Sequence, residues 1–231
     1  GGTLLHKVHL APAARYSEDI DLVVVGDRPE GHIRRALRRV LLPVLGSPQR
    51  SVWATVSLAV RNAVRPSRVL RMSYAVPSTV EPGRELQIVV EANVTERTPH
   101  RPVADLPFAF PFRGETIGTS VRGYDINEML GTKMRALFQR RRGRDLFDLH
   151  RAITMPAAGF DPDAVVASFV HYLEREETRA GRVDFTALLD AHLCDPGFRS
   201  DMDDLLREGI DYDPVEAGDF VKSRLLCRLP E

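Results

Sequence analysis

Apolar residues follow two rhythms along the 231 residues, and the change between them divides the chain. Residues 19–25 (DIDLVVV) are β-branched and apolar enough for a buried strand, with Ile20, Leu22 and Val24 anchoring the core. Gly26 to Pro29 turn the chain, and residues 30–42 read as an amphipathic helix with Ile33, Leu37, Val40 and Leu41 inward. Residues 50–63 fit either helix or strand, and their length favours helix. Residues 69–76 and 85–94 read as strands separated by the turn signal Glu81-Pro82-Gly83. The Pro- and Phe-rich stretch 98–114 has no period and reads as a loop, and a short helix over 3–10 ends at Ala11-Pro12.

From Asp125 onward the rhythm is helical. Asp125 and Glu128 fit an N-cap and its capping-box partner, with Met129, Met134, Leu137 and Phe138 supplying the apolar face. Further helices are expected at 144–154, 161–175, 184–193, 199–208 and 214–227. Strands early and helices late predict an α+β fold, with a mixed-sheet domain over 1–124 and a helical domain over 125–231. No internal repeat or low-complexity segment interrupts it.

Composition narrows the class. Hydrophobic residues at 43% and charged residues at 28% are those of a soluble globular protein. No run approaches the roughly 20 apolar residues of a membrane helix, so no membrane partner is expected. Cys194 and Cys227 make neither a disulfide framework nor a metal-ligand spacing, which points to a reducing cytoplasm. The chain starts Gly1-Gly2 without an initiator Met, so a preceding segment that completes the sheet is one expectation. The net charge of zero conceals a gradient: residues 1–155 carry 24 Lys+Arg against 15 Asp+Glu, and residues 156–231 carry 8 against 17. A basic front suits phosphates; chance unevenness on solvated surfaces is the plainer account.

Asp19 and Asp21 are two apart on a predicted strand, so both project from one face. Two adjacent carboxylates repel unless a cation or proton lies between them, and Mg²⁺ (or Mn²⁺) supplies hard positive charge while leaving room for substrate phosphates. A lone Asp-x-Asp is usually a solvated strand end. Here Gly1-Gly2-Thr3 precedes it, and small residues before a helix let backbone N–H groups approach a phosphate.

Glycines followed closely by Arg15, Ser17, Asp19, Ile20 and Asp21 resemble the AbiEii/MenT-type nucleotidyltransferase toxins of bacterial toxin–antitoxin systems, within the DNA polymerase β-like superfamily. Two later motifs extend the resemblance over about residues 1–155: Val90-Glu91-Ala92-Asn93 followed by Arg97, and a helix bearing Lys133 followed by Arg144-Asp145-Leu146-Phe147-Asp148-Leu149. The resemblance implies that Asp19 and Asp21 hold metal, with Glu91 as third ligand or general base. It implies a nucleoside triphosphate held near Gly1, Gly2 and Ser17, with Lys133 on its phosphates and Asp148 contributing from the helical domain. Asp148 sits one turn deeper than Asp145, which helix-dipole stabilisation alone would explain, and it could orient Lys133 by ion pairing. A strand-capping Glu91, a surface Lys133 and a turn-forming Ser17 are the bland alternatives.

The run Arg140-Arg141-Arg142-Gly143-Arg144 is the densest positive charge, and Arg34, Arg35, Arg38 and Arg39 form a second basic stripe. Either could track a nucleic-acid backbone. Trp53, Phe108, Phe110 and Phe112 could stack bases, although core duty is commoner. His6, His9, His32, His100, His150, His171 and His192 show no metal spacing. The implied activity is addition of nucleotides, from a pyrimidine triphosphate, to the 3′ end of tRNA, blocking translation until a cognate antitoxin intervenes. Nucleotidylation of a protein or of an aminoglycoside is the enzymatic alternative, and an inactive partner-binding relative is the other.

Overall fold

A computed structural model describes residues 1–17, 19–60, 63–78 and 80–231. It is an α+β structure with a mixed sheet. The chain resolves into two compact units: Gly1 with Glu18–Pro99, and Gly2–Ser17 with His100–Glu231.

The first unit is a four-stranded sheet in the order β1-β4-β3-β2, formed by β1 (Asp19–Val23), β2 (Arg50–Val60), β3 (Ala63–Pro77) and β4 (Glu85–Asn93), with helix α2 (Glu30–Leu45) on one face. β1 runs parallel to β4, and the other neighbours are antiparallel. Leu70, Met72 and Tyr74 of β3 alternate onto the face that carries Val90 and Ala92 of β4, and Ile33 of α2 closes this core.

The register places Ile20 beside Val90 and Leu22 beside Ala92, so both point toward the core face as expected. They are nevertheless 37% and 36% exposed, which corrects the expectation of a buried strand. β1 is the edge of the sheet, whereas the buried core centres on β3 and β4. Val40 is likewise exposed, and Leu37, Leu41 and Leu45 make the packing contacts of α2.

Residues 50–60 are a strand, not a helix. Their Val, Trp and Thr residues favour a pleated surface, and pairing from Arg50 opposite Ser73 to Val60 opposite Ala63 overrides the length argument. Arg61 and Asn62, at the end of the stretch read as helix, lie outside the described residues.

The second unit buries a helical core. Leu5 and Leu10 of the amino-terminal segment join Met134 and Leu137 of α3 (Ile126–Gln139), Leu146 and Leu149 of α4 (Gly143–Thr154), and Phe169 of α5 (Pro162–Arg175). α6 (Arg182–Leu193), α7 (Pro196–Arg199) and α8 (Pro214–Arg224) complete it. The amino-terminal segment begins as α1 (Gly2–Leu4) and continues as a π-helical turn over Leu5–His9. Backbone bonds from Tyr16 to Leu205 (2.8 Å) and from Arg207 to Ala14 (3.0 Å) stitch it to the helical unit. This pairing places residues 2–17 with the helices, whereas the sequence reading grouped them with the sheet.

Two further differences follow from local chemistry. Residues 104–123 form a hairpin, β5 (Ala104–Phe112) and β6 (Glu115–Gly123), where a loop was expected up to 114. Arg113 and Gly114, at φ of 50° and 85°, supply the left-handed pair of a two-residue hairpin turn. Pro107 and Pro111 are tolerated because each strand of a two-stranded ribbon has an open edge. The expected helix at 199–208 is instead the short α7 followed by turns.

Asp125 does cap α3, its Oδ1 accepting from the Glu128 N–H at 2.9 Å. The Glu128 carboxylate, however, accepts from the backbone N–H groups of His100 (2.8 Å) and Arg101 (3.1 Å) and from the Tyr172 hydroxyl. It ties α3 to α5 and to the start of the hairpin segment.

Candidate active site

The edge position of β1 presents its acidic face. Asp19 and Asp21 lie on the side opposite Ile20 and Leu22, and the parallel register sets Glu91 of β4 directly beside Asp21. Asp21 is 46% exposed. Glu91 is half-buried and is ion-paired with Arg71, its register partner on β3. One row across the sheet therefore reads Asp21, Glu91, Arg71. The structure brings the three predicted carboxylates onto one face and adds a guanidinium that the sequence reading did not single out.

Gly1 explains its own identity here. A Cβ at this position would lie 1.6 Å from Asp21 Oδ2, so any side chain would displace the carboxylate. Gly2 is equally confined in the second unit, where a Cβ would meet Arg15 Nη2 at 2.6 Å and Ser17 Oγ at 3.2 Å. Ser17 Oγ lies 2.9 Å from Thr3 Oγ1. The Gly-Gly-Thr signature and the Arg-x-Ser signature thus interlock through side chains that tolerate no added atoms.

Asp148 organises the second unit's ionic cluster. It is fully buried and receives Arg15 through Nε (2.6 Å to Oδ1) and Nη2 (2.7 Å to Oδ2). His6 Nε2 donates to Oδ1 at 2.7 Å, and Lys133 Nζ lies 2.7 Å from Oδ2. Lys133 also donates to Asp145 (3.1 Å), which is itself fully buried and held by Arg140 at 2.7 and 3.0 Å.

Burial by itself would raise the Asp148 carboxyl, but Lys133, His6 and Arg15 hold it well below the usual carboxylate range. Burial likewise opposes ionisation of Lys133, and Asp148 and Asp145 overcome it, keeping the ammonium charged and its pKa raised. Asp145 is lowered by Lys133 and Arg140 against its own desolvation. It belongs to this network, so a surface helix-dipole account does not suffice. Arg15 and His6 were not assigned roles from sequence. Arg15 stood inside a quoted motif, but nothing in the spacing announced its partner 133 residues away.

The Arg140–Arg144 run is less available than its density suggested. Arg140 is committed to Asp145, Arg141 lies 2.8 Å from Asp195, and Arg142 lies 3.6 Å from Asp201. The Arg144 backbone N–H donates to Asp201 at 3.0 Å. Trp53 is flanked by Arg34 and Arg68, at 5.8 and 5.5 Å from its ring centre. Phe108 and Phe110 stack on each other at 5.5 Å along β5.

The acidic face fits a divalent cation. Among the described residues no three His, Cys, Asp or Glu side chains converge into a complete protein cage. Mg²⁺ does not require one, because it is commonly held by one or two carboxylates with waters and substrate phosphates. No described helix is long and apolar enough to cross a membrane. No curated protein matches the chain. The family model for the nucleotidyl transferase AbiEii toxin of type IV toxin–antitoxin systems matches residues 1–220, a span that takes in the acidic strand, Glu91 and the whole Lys133–Asp148 cluster, and the chain belongs to that nucleotidyltransferase family.

Proposed function

We propose that this enzyme transfers a nucleoside monophosphate from a pyrimidine nucleoside triphosphate to the 3′ hydroxyl of tRNA. Family membership supplies the class of reaction, the triphosphate substrate and an antitoxin partner; acceptor, base and metal are our reading. In the reaction the acceptor oxygen bonds to the α-phosphorus, the α–β phosphoanhydride bond breaks, and pyrophosphate leaves with the electron pair. The acceptor hydroxyl loses its proton, for which the Glu91 carboxylate is the candidate base.

The observation that carries the proposal is the placement of Asp19 and Asp21 on one face of β1 with Glu91 in register beside them. Mg²⁺ or Mn²⁺, when bound there, neutralises the carboxylates and the phosphate oxygens and lowers the pKa of the attacking hydroxyl. Asp19 and Asp21 position the triphosphate by holding that charge. Gly1 keeps the space against Asp21 clear. Lys133 spends two of its three N–H donors on Asp145 and Asp148, which keep it charged, and the match of its helix to the family's lysine motif is what supports a role for it toward the triphosphate. Asp148 acts through Arg15 and Lys133 and touches no reacting atom. Intact acidic and lysine motifs argue against an inactive relative.

The test is incubation of the chain with each α-labelled triphosphate and Mg²⁺ in the presence of total tRNA, protein lysate or aminoglycosides. Label from CTP or UTP entering tRNA 3′ ends supports the proposal. Label entering only protein or antibiotic replaces the acceptor, and no label in any fraction contradicts the activity.

A further inference from the structure

The basic residues of the two runs differ once their partners are known. Those of the Arg140–Arg142 run are ion-paired, and pairing removes the net field that a polyanion would sense. Those on α2 are not. The helix carries Arg34, Arg35, Arg38 and Arg39, with His32 one turn earlier, against a single acid, Glu30. Glu30 is itself committed to Arg68 of β3. Arg35, Arg38 and Arg39 are exposed, and among the described residues none has a carboxylate partner. Arg34 is half-buried and lies over Trp53.

This arrangement works against the helix. Arg34 with Arg38, and Arg35 with Arg39, are like-charge pairs one turn apart, which destabilise an isolated helix. Of the four arginines, Arg34 is the one that packs against a described residue of its own unit, over Trp53. His32, Arg35, Ala36 and Arg39 line an open groove along the helix. Among the described residues the groove is lined by no aromatic or large aliphatic anchor of the kind that centres a protein interface. Its cations are all arginine, whose planar fork matches phosphate oxygens bidentately.

We propose that the exposed arginine stripe of α2, comprising Arg35, Arg38 and Arg39 with His32, is a docking surface for the phosphate backbone of RNA. The proposal rests on the reading that the acceptor is tRNA, and it relocates the main backbone contact from Arg140–Arg142 to α2. Binding there releases counterions from the RNA and relieves the repulsion within the helix. The contact carries no base information, so it sets affinity and register while the acceptor end is selected elsewhere. Val40 and Val44 are exposed further along α2, so a protein partner is the competing occupant.

The experiment compares the full chain with Arg35→Gln/Arg38→Gln/Arg39→Gln and with Arg141→Gln/Arg142→Gln. Labelled tRNA binding is followed by fluorescence anisotropy across a salt series, with CTP binding in Mg²⁺ measured calorimetrically on the same samples. The α2 variant should lose about tenfold or more in tRNA affinity at low salt, and its salt slope should fall by about three. Its CTP binding should stay unchanged, and its melting temperature should hold or rise slightly as the repulsion within α2 is removed. The Arg141/Arg142 variant should change the slope by less than about one.

Wild-type slope and affinity in the α2 variant would overturn the proposal and leave the tRNA reading standing. Failure of the unmodified chain to bind tRNA at any salt would overturn both. Charge-reversing Arg→Glu substitutions at the same three positions keep the test decisive if the neutral variant gives only a partial loss.

Discussion

Asp148→Asn keeps the shape of the side chain and removes the charge on which Arg15, Lys133 and His6 converge. Arg15 and Lys133 are only 4% and 7% exposed, so neither can turn to water for compensation without local opening. Removing one partner of a buried pair typically costs about 3–5 kcal/mol, because the remaining charge stays desolvated. Here part of the loss is cushioned: Lys133 retains Asp145 at 3.1 Å, and Arg15 retains the Tyr16 carbonyl at 2.8 Å. The lower end, about 3 kcal/mol, is therefore expected. For a protein of this length that corresponds to a fall of roughly 6–12 °C in the melting transition of the helical unit. Scanning calorimetry measures it, and a double-mutant cycle with Arg15→Gln isolates the pair. Residues in direct contact within one network couple by about 0.5–3 kcal/mol, and a value above about 1.5 is expected here. Additivity of the two substitutions, or a total loss below about 1 kcal/mol, would refute the view that Asp148 anchors the amino-terminal segment.

Three further outcomes follow. Gly1→Ala should abolish or sharply reduce nucleotide transfer by pushing Asp21 aside, while leaving the melting of the helical unit unchanged; full activity would show that the 1.6 Å approach is relieved without consequence. Gly131→Ala should destabilise by about 1–3 kcal/mol, read as a lower urea midpoint, because its Cβ would lie 2.6 Å from Ser168 Cβ and 2.9 Å from the Val165 carbonyl. Acid should destabilise the second unit. Asp148 and Asp145 are depressed in the folded state, so their stabilisation is complete above the unfolded carboxyl pKa of about 4 and is lost as pH falls through the folded values. A urea midpoint that stays constant from pH 5 to pH 3 would contradict this, and Asp148→Asn should flatten the dependence.

What the sequence disclosed was what short-range pattern encodes. Asp19 and Asp21 two apart on an apolar strand predicted a shared face, and β1 presents one. The Asp125 cap and the Met134/Leu137 face predicted α3. The misreadings arose where distant partners decide. Residues 50–60 became a strand because β3 offers eleven register positions, which no local period reveals. The hairpin at 104–123 was hidden by Pro107 and Pro111, which signal a loop unless the strand has an open edge. Burial of β1 was overestimated because strand composition is silent about sheet order. In the site, the pairing of Arg15 with Asp148 and the neutralisation of Arg141 by Asp195 depend on tertiary proximity. Charge density along a sequence is therefore a poor guide to charge available at a surface, and α2, with the sparser run, carries three exposed arginines that have no carboxylate partner among the described residues.

The central claim is that the carboxylate pair of β1 performs metal-dependent nucleotide transfer. The most direct measurement is incorporation of label from α-labelled CTP into tRNA by the full chain and by Asp19→Asn and Asp21→Asn, each with Mg²⁺ and with excess chelator. The account predicts incorporation by the unmodified chain that chelator abolishes, and a loss of at least about a hundredfold in either variant, the order seen when a key electrostatic contact to the transition state is removed. Both variants should keep the fold, because Asp21 is half exposed at the sheet edge. Undiminished incorporation in either variant, or in chelator, would contradict it.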